Sequence, residues 1–184
     1  MKLTGPIVIT GFMGCGKTEV ARTLARRFAL TLVDLDQRIA EQHGRTAAQL
    51  IVEEGEPAFR AIETQTLREL LQENTAGVIA LGGGAWITAA NRDLIQQHHG
   101  VTIWLDTPFE LCWQRIETSP LDRPLGRTRV QAEQLYRDRR AVYQLAAIHL
   151  PVLAHETTAE LVDRLKAHYQ LATDNTDENH ISSV

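Results

Sequence analysis

The stretch Gly11-Phe12-Met13-Gly14-Cys15-Gly16-Lys17-Thr18 restricts the possible folds of this chain more than any other feature. An apolar run at residues 6–10 precedes it and a helix-compatible segment at 19–28 follows, which is the strand, loop and helix context that the pattern G-x-x-x-x-G-K-[ST] requires. Backbone N–H groups in such a loop attract an anion, Lys17 can reach terminal phosphates, and the Thr18 hydroxyl can bind Mg²⁺. We therefore predict a nucleoside triphosphate site. The alternative is an ordinary glycine-rich turn.

The composition is that of a soluble globular protein with one domain. The chain has 184 residues, of which 43% are hydrophobic and 23% are charged, enough for one core of ordinary size. A net charge of -4 and the lack of a basic run argue against nucleic-acid binding. No stretch has the length of a membrane span or of a signal-peptide core. We therefore expect a cytoplasmic protein that binds no membrane, and we expect a monomer.

The two cysteines, Cys15 and Cys112, have no metal-site spacing and fit a reducing compartment without a disulfide. Cys112 is expected on a helix, packed in the core. Cys15 lies in the phosphate loop near a helix N-terminus, where the thiol pKa can be lowered, so one hypothesis is a thiol that is readily alkylated. The favoured interpretation is that the position requires a small side chain.

Short apolar runs alternate with helix-patterned segments, which predicts an α/β fold with helices on both faces of a parallel sheet. Residues 118–130 combine prolines, a glycine and charged residues, which is typical of a mobile loop. Residues 173–184 are polar and are expected to form a disordered tail after one domain at 1–172. The predicted strands are 6–10, 30–33, 78–81, 101–105 and 149–153, and the predicted helices are 19–28, 37–43, 46–54, 57–72, 89–98, 108–117, 131–147 and 158–169.

Two carboxylates, Asp34 and Asp36, follow the second predicted strand. Ligands of open α/β sheets bind at the carboxyl ends of the strands, and residues two apart on an extended segment face the same side. One carboxylate could therefore meet a metal ion and the other a substrate hydroxyl. The alternative for Asp36 is a helix N-cap, since a helix is predicted to begin at the next residue.

Three consecutive glycines, Gly82 to Gly84, end the third predicted strand. They permit an unusual backbone turn that approaches a ligand closely, although such a triplet is often only a tight turn. Arg60, Arg123 and Arg139 are further candidates for anion binding. Each arginine taken alone is better explained by a solvated surface or an ion pair.

In this order and spacing, these motifs resemble the shikimate kinase family. The resemblance covers about residues 5 to 170, and only the first motif is specific by itself, for the phosphate-loop class. The ordered set is what makes the resemblance specific. Its members are Gly11 to Thr18, Asp34-x-Asp36, Gly55-Glu56-x-x-Phe59-Arg60-x-x-Glu63, Gly82-Gly83-Gly84, Arg123-Pro124-Leu125 and Arg139-x-x-x-Tyr143.

The resemblance implies a three-layer α/β/α fold with five parallel strands in the order 2-3-1-4-5. It implies transfer of the γ-phosphoryl group of ATP to the 3-hydroxyl of shikimate, with Mg²⁺ as cofactor and residues 118–130 as a lid over the site. Such a reaction depends on alignment and on positive charge around the transferring group. Guanidinium groups suit a carboxylate substrate because they can bind it with two parallel hydrogen bonds.

The resemblance also implies roles for single residues. Asp36 would hold substrate hydroxyls and act as the base, while Lys17 and Arg123 would stabilise the transferring phosphoryl group. ATP would be bound by Gly11, Gly14, Cys15, Gly16, Lys17, Thr18, Glu19, Arg115 and Arg123. The substrate would be bound by Asp36, Arg60, Gly82, Gly83, Gly84 and Arg139, and the metal ion by Thr18 and, through water, Asp34.

The chain departs from the common family pattern at Glu19, at Gly126 in place of leucine, and at Trp86, which is bulkier than usual beside the glycine turn. A different small-molecule kinase of the same architecture, such as a gluconate or nucleotide kinase, is one alternative. Phe59-Arg60 together with Arg139-x-x-x-Tyr143 argues against it, because these residues suit a carboxylate on a small ring. A catalytically silent ATP-binding module is the other alternative, and the intact Lys17 and Asp36 argue against that.

Overall fold

The structure is a computed structural model that describes residues 4–75, 77–119 and 123–169. In these residues five parallel strands form one sheet in the order β2-β3-β1-β4-β5, which confirms the predicted three-layer α/β fold and strand order. The predicted domain boundary at 172 and the predicted tail at 173–184 lie outside the described residues. The strands are β1 (Ile7–Thr10), β2 (Leu32–Asp34), β3 (Val78–Ala80), β4 (Val101–Asp106) and β5 (Ile148–Pro151).

Burial explains why these short segments are strands. Every side chain of β1 and β3 is buried, as expected for central parallel strands covered on both faces. Ile7 of β1 is paired with Val78 of β3 on one side and with Val101 of β4 on the other. In the edge strand β5 buried and exposed side chains alternate, and the strand ends at Pro151, which is tolerated at an edge.

Eight α-helices connect the strands in the described residues, and two short 3-10 turns occur at Ala85–Ile87 and Pro124–Gly126. The helix α1 packs against α8, β1 and β3, and α4 packs against α2, α3 and α5. The helices are α1 (Lys17–Arg27), α2 (Leu35–His43), α3 (Ala47–Glu54), α4 (Glu56–Glu73), α5 (Ala89–Gln97), α6 (Phe109–Glu117), α7 (Arg129–Tyr143) and α8 (Thr158–Tyr169).

Two predicted helix ends were wrong. Asp34 rather than Asp36 caps α2, since its Oδ1 accepts hydrogen bonds from the backbone N–H groups of Asp36 (3.1 Å) and Gln37 (3.3 Å). Asp36 is therefore a first-turn helical residue, and the two carboxylates do not share one extended segment. The helix α7 ends at Tyr143 and not at 147, because the chain turns there towards β5 and the Ala147 N–H donates to Thr102 Oγ1 at 2.9 Å.

In the described part of the chain, no helix combines the length and the apolar character that a membrane crossing requires.

Candidate active site

The phosphate loop follows β1 directly and ends where α1 begins at Lys17. Gly14 has a φ of 76°, a left-handed conformation that glycine adopts without strain, and a Cβ there would lie 2.6 Å from the carbonyl oxygen of Cys112. The Lys17 ammonium donates hydrogen bonds to the carbonyl oxygens of Gly11 (3.0 Å) and Phe12 (2.9 Å). The loop thus surrounds the Lys17 ammonium with its own carbonyl oxygens. It also lies at the N-terminus of α1, and a helix N-terminus favours anion binding.

The two cysteines are both buried. Only 1% of Cys15 is exposed, and its Sγ fills the space beside Gly11, where a Cβ would come within 2.9 Å of it. The hypothesis of a readily alkylated thiol is therefore wrong, and the requirement for a small side chain at this position stays a prediction. Cys112 is fully buried on α6 as predicted, and burial raises the pKa of its thiol to about 12.

Two oxygen ligands lie together beside the phosphate loop. The Thr18 hydroxyl donates a hydrogen bond to Asp34 Oδ2 at 2.7 Å, and both residues face the same cavity. Mg²⁺ prefers such hard oxygen atoms, and it usually keeps several waters while sharing the phosphates of its nucleotide. It therefore does not need a dense protein cage, and the described residues contain no group of three or more His, Cys, Asp or Glu that forms one. The residues present fit the predicted ion.

Asp36 and Glu63 approach each other beside Gly82. A Cβ on Gly82 would lie 2.5 Å from Asp36 Oδ1 and 3.0 Å from Glu63 Oε1, so only glycine leaves room for both carboxyl groups. Asp36 opens to the cavity, but the surrounding protein withdraws it from bulk water. This desolvation, reinforced by Asp34 and opposed by Lys17 and Arg60, raises its pKa.

Glu63 is a buried acid on α4 to which the sequence analysis gave no role. Its Oε2 accepts a hydrogen bond from Arg60 Nη1 at 2.9 Å, while its Oε1 has no hydrogen-bond partner in the described residues. Burial raises its pKa to about 7, Arg60 and Arg139 oppose the shift, and Asp36 adds to it. Near neutral pH the carboxyl group is therefore partly protonated.

The raised pKa of Glu63 predicts a pH-dependent stability. Between its ordinary value of 4.5 and its folded value of about 7, the folded state binds more protons than the unfolded state, so stability falls as pH rises through this window. A shift of this size corresponds to about 3 kcal/mol. From pH 5 to pH 8, the wild type should therefore lose up to this amount of its free energy of unfolding through Glu63. Glu63→Gln has no carboxyl group at this position, so its free energy of unfolding should rise relative to that of the wild type by the same amount.

Urea unfolding at several pH values measures this difference. Glu73→Gln, an exposed substitution on the same helix, is the control and should follow the wild type at each pH. Parallel pH curves for Glu63→Gln and the wild type would show that Glu63 keeps an ordinary pKa.

Arg60 and Arg139 face each other across the end of β3. Arg60 lies against the backbone of Gly84, since a Cβ on Gly84 would collide with its guanidinium, and it donates to Glu56 and Glu63 on its own helix. Arg139 Nη1 donates to the carbonyl oxygen of Gly83 at 3.3 Å. The pair places two guanidinium groups at one wall of the cavity.

The structure gives a different physical reason for glycines at 82–84 than the predicted backbone turn. Their φ angles avoid the left-handed region, so no unusual turn is formed. Instead a side chain at Gly82 would overlap Asp36, and one at Gly84 would overlap Arg60. Glycine is needed at 82 and 84 because side chains from two helices pack directly onto the backbone, whereas a Cβ at Gly83 would make only ordinary contacts with Met13.

The helix α7 is held in place by two residues that follow Arg139. The Arg140 guanidinium donates to both oxygens of Asp106 at the end of β4, at 2.6 and 2.9 Å, and lies over the ring of Trp104. The Tyr143 hydroxyl donates to the carbonyl oxygen of Gly83 at 2.5 Å. Two strand ends therefore fix the helix that carries Arg139.

The described part of the predicted lid contributes Arg123 and Leu125 to the cavity wall, and residues 120–122 lie outside the described chain. Gly126 is buried, and a Cβ there would meet the terminal methyl group of Met13 from the phosphate loop. The described part of the lid therefore contacts the phosphate loop at this position.

Three remaining predicted positions lie as follows. Arg115 Nη1 donates to the carbonyl oxygens of Gly14 and Cys15 at 3.3 Å, at the rim of the loop. Glu19 is exposed and forms an ion pair with Arg22 at 2.9 Å. Trp86 follows the glycine turn, where only 4% of it is exposed and its Nε1 donates to the Val142 carbonyl oxygen.

One cavity of about 1070 Å³ joins these parts. It extends from the phosphate loop past Asp36 to the two arginines and the lid, and every predicted site residue lines it except Gly11 and Cys15. Glu56 and Glu63 are the functional candidates that sequence reasoning missed. The sequence did contain a signal for them. Glu56 stands four residues before Arg60 and Glu63 three residues after it on one helix, and opposite charges at these spacings interact.

A model of the family described as "Shikimate kinase" matches residues 13–170. The chain belongs to the shikimate kinase family. The shikimate kinase of Streptococcus thermophilus is 35% identical over 162 residues, which are 86% of this chain and 97% of the relative. The solved structure of the shikimate kinase from Acinetobacter baumannii in complex with shikimate is 32% identical, with a TM-score of 0.80, and covers 90% of this chain and 93% of that one.

The alternative kinase has a counterpart among the similar structures. A gluconokinase from Sinorhizobium meliloti has a TM-score of 0.58 and covers 94% of this chain and 100% of its own, but it is only 15% identical, so the likeness shows the fold alone. The findings confirm the predicted family and the predicted enzyme class, a kinase with an alcohol acceptor.

Proposed function

We propose that this enzyme transfers the γ-phosphoryl group of ATP to the 3-hydroxyl of shikimate. The observation that carries the proposal is one continuous cavity with a phosphate loop at one end, a pair of arginines at the other and Asp36 between them. Family membership and a relative solved with shikimate support the choice of substrate. The arrangement suits a small ring that carries both a carboxylate and hydroxyl groups.

The acceptor side of the cavity would bind and orient shikimate. Arg60 and Arg139 would hold its carboxylate, because guanidinium groups bind carboxylates with geometric specificity. This anchor would place the 3-hydroxyl at Asp36 and leave the Gly83 backbone near another hydroxyl. The raised pKa of Asp36 makes its carboxylate a better proton acceptor than an ordinary aspartate.

The donor side would bind ATP and stabilise the charge of the transferring group. The phosphate loop N–H groups, Lys17 and Arg123 would surround the phosphates, while Thr18 and Asp34 would hold Mg²⁺, which shields phosphate charge when bound. The substrate oxygen attacks the γ-phosphorus, the bond from that phosphorus to the bridging oxygen breaks, and the hydroxyl proton passes to Asp36. ADP and shikimate 3-phosphate are the products.

We test this function by coupled ADP release with MgATP and shikimate, beside gluconate, a panel of nucleoside monophosphates and a reaction without acceptor. Turnover that depends on shikimate is the expected result, with a rate at least about tenfold above the other acceptors, which lack a matched carboxylate and ring. Turnover with another acceptor would overturn the substrate assignment. Nucleotide binding without any turnover would support the silent module. Action as a cytoplasmic monomer stays a prediction.

A further inference from the structure

The Glu56 carboxylate lies between the two arginines that would bind the substrate carboxylate. Its Oε1 accepts hydrogen bonds from Arg60 Nη2 at 2.8 Å and Arg60 Nε at 3.2 Å. The same oxygen is 4.0 Å from Arg139 Nη2. One carboxylate oxygen of the protein is therefore hydrogen-bonded to Arg60 and lies within ion-pair distance of Arg139, in the space where an oxygen of a substrate carboxylate would bind.

Glu56 differs from Glu63 in its freedom to move. The side chain of Glu63 is 1% exposed and fixed among packed atoms, whereas that of Glu56 is 41% exposed at the first residue of α4. The Arg60 side chain is only 18% exposed, but it keeps its ion pair with Glu63 when Glu56 leaves, so its charge is not left without a partner. A second, smaller cavity of about 220 Å³ lies beside it, lined by Glu56, Arg60, Gly84, Ile87, Thr88 and Arg139. The Glu56 side chain has both solvent and this space to move into.

The charges around Arg60 also favour a displacement. Arg60 already faces the carboxyl groups of Glu56 and Glu63, and Asp36 lies near Glu63. A substrate carboxylate added to this set would meet like charges within a protein-lined cavity, where repulsion is stronger than in water. If the Glu56 carboxylate leaves as the substrate carboxylate arrives, the number of negative charges on the arginine pair does not change.

We propose that Glu56 occupies the carboxylate subsite of the free enzyme and is displaced by the substrate carboxylate. Glu56 is then a specificity-determining residue, because it lowers apparent affinity and admits only ligands whose own anion replaces it on the arginines. This proposal rests on the proposed binding of the substrate carboxylate by Arg60 and Arg139. It differs from a positioning role, in which Glu56 would hold Arg60 while substrate is bound.

The test compares Glu56→Gln with the wild type in steady-state kinetics. Only the fraction of enzyme in which Glu56 has left the subsite can bind shikimate, and a smaller fraction gives a higher apparent KM. Glu56→Gln should enlarge this fraction and so lower the KM for shikimate by about three- to tenfold. The kcat should stay within about twofold, since Glu56 does not touch the reacting atoms. Acetate, a minimal carboxylate, should inhibit Glu56→Gln at correspondingly lower concentration than it inhibits the wild type.

Glu54→Gln is the matched control, because it removes the same charge two residues away, where Glu54 pairs with Arg45 on the surface. Its KM for shikimate should equal that of the wild type. A KM for Glu56→Gln equal to or above the wild-type value would overturn the proposal and assign Glu56 to positioning Arg60. Thermal unfolding of each variant shows that the comparison is made between folded proteins.

Arg60→Ala, measured in the same series, distinguishes a failure of the proposed function from a failure of the proposed displacement of Glu56. It should raise the KM for shikimate at least about tenfold and leave the KM for ATP unchanged, since a charge-assisted carboxylate contact is lost. A wild type without shikimate turnover would refute the proposed function. Normal turnover with an unchanged KM in Arg60→Ala would instead refute the arginine pair as the carboxylate subsite, and with it the displacement of Glu56.

Discussion

Replacing Asp36 with asparagine is expected to lower kcat for shikimate by about a thousandfold, within the range that a general base contributes. Asparagine has nearly the same shape and can still hydrogen-bond a substrate hydroxyl, but it cannot take up the hydroxyl proton. Asp36 lies on α2 at the cavity wall and is not part of the loop that would bind ATP. The affinity for ATP, measured by calorimetric titration, should therefore change by less than about threefold.

The control for Asp36→Asn is Asp93→Asn, an exposed substitution on α5 that should keep wild-type turnover. Wild-type kcat should also fall on acidification, because the raised pKa of Asp36 means that it is protonated at a higher pH than an ordinary aspartate. Near-normal turnover by Asp36→Asn would remove Asp36 from the role of base and leave alignment alone to account for the rate.

Replacing Lys17 with methionine is expected to lower kcat by about a hundredfold or more, which corresponds to about 3 kcal/mol of lost transition-state stabilisation. Methionine keeps most of the length of the side chain but removes the charge. The ammonium also donates to the carbonyl oxygens of Gly11 and Phe12, so the variant leaves both without this donor. We therefore expect weaker ATP binding as well, visible in the KM for ATP.

Lys166→Met provides the matched control, because Lys166 is exposed on α8. It should leave both kinetic constants unchanged. Circular dichroism of the two variants checks that the phosphate loop substitution has not unfolded the sheet beneath it. A kcat of Lys17→Met within about threefold of the wild type would show that other groups carry the charge stabilisation.

Local features of the sequence were sufficient to predict much of the fold. The strands β1 and β3 are buried on both sides, so continuous apolar runs reveal them. Helix ends were less predictable where two neighbouring residues have the same chemistry. Asp34 and Asp36 can each cap a helix, and the direction of the chain after β2 decides between them. The end of α7 likewise depends on a distant partner, Thr102 on β4.

The site was predictable where its residues act through one local motif. The phosphate loop is such a motif, and it lies as predicted between β1 and α1. The pKa of Glu63 was not predictable, because it depends on burial between α4 and the end of β3 and on the nearness of Asp36. The spacing of Glu56 from Arg60 predicts an ion pair, but only the folded structure brings Arg139 to the same oxygen.

The contact between Gly126 and Met13 links two segments that are far apart in the sequence. The terminal methyl group of Met13 takes the volume that a side chain at 126 would need. This methyl group is the far end of a flexible side chain, so it can move aside at little cost. A side chain introduced at 126 would therefore act first on the conformation of Met13, and variation in the lid would reach the phosphate loop through this one residue.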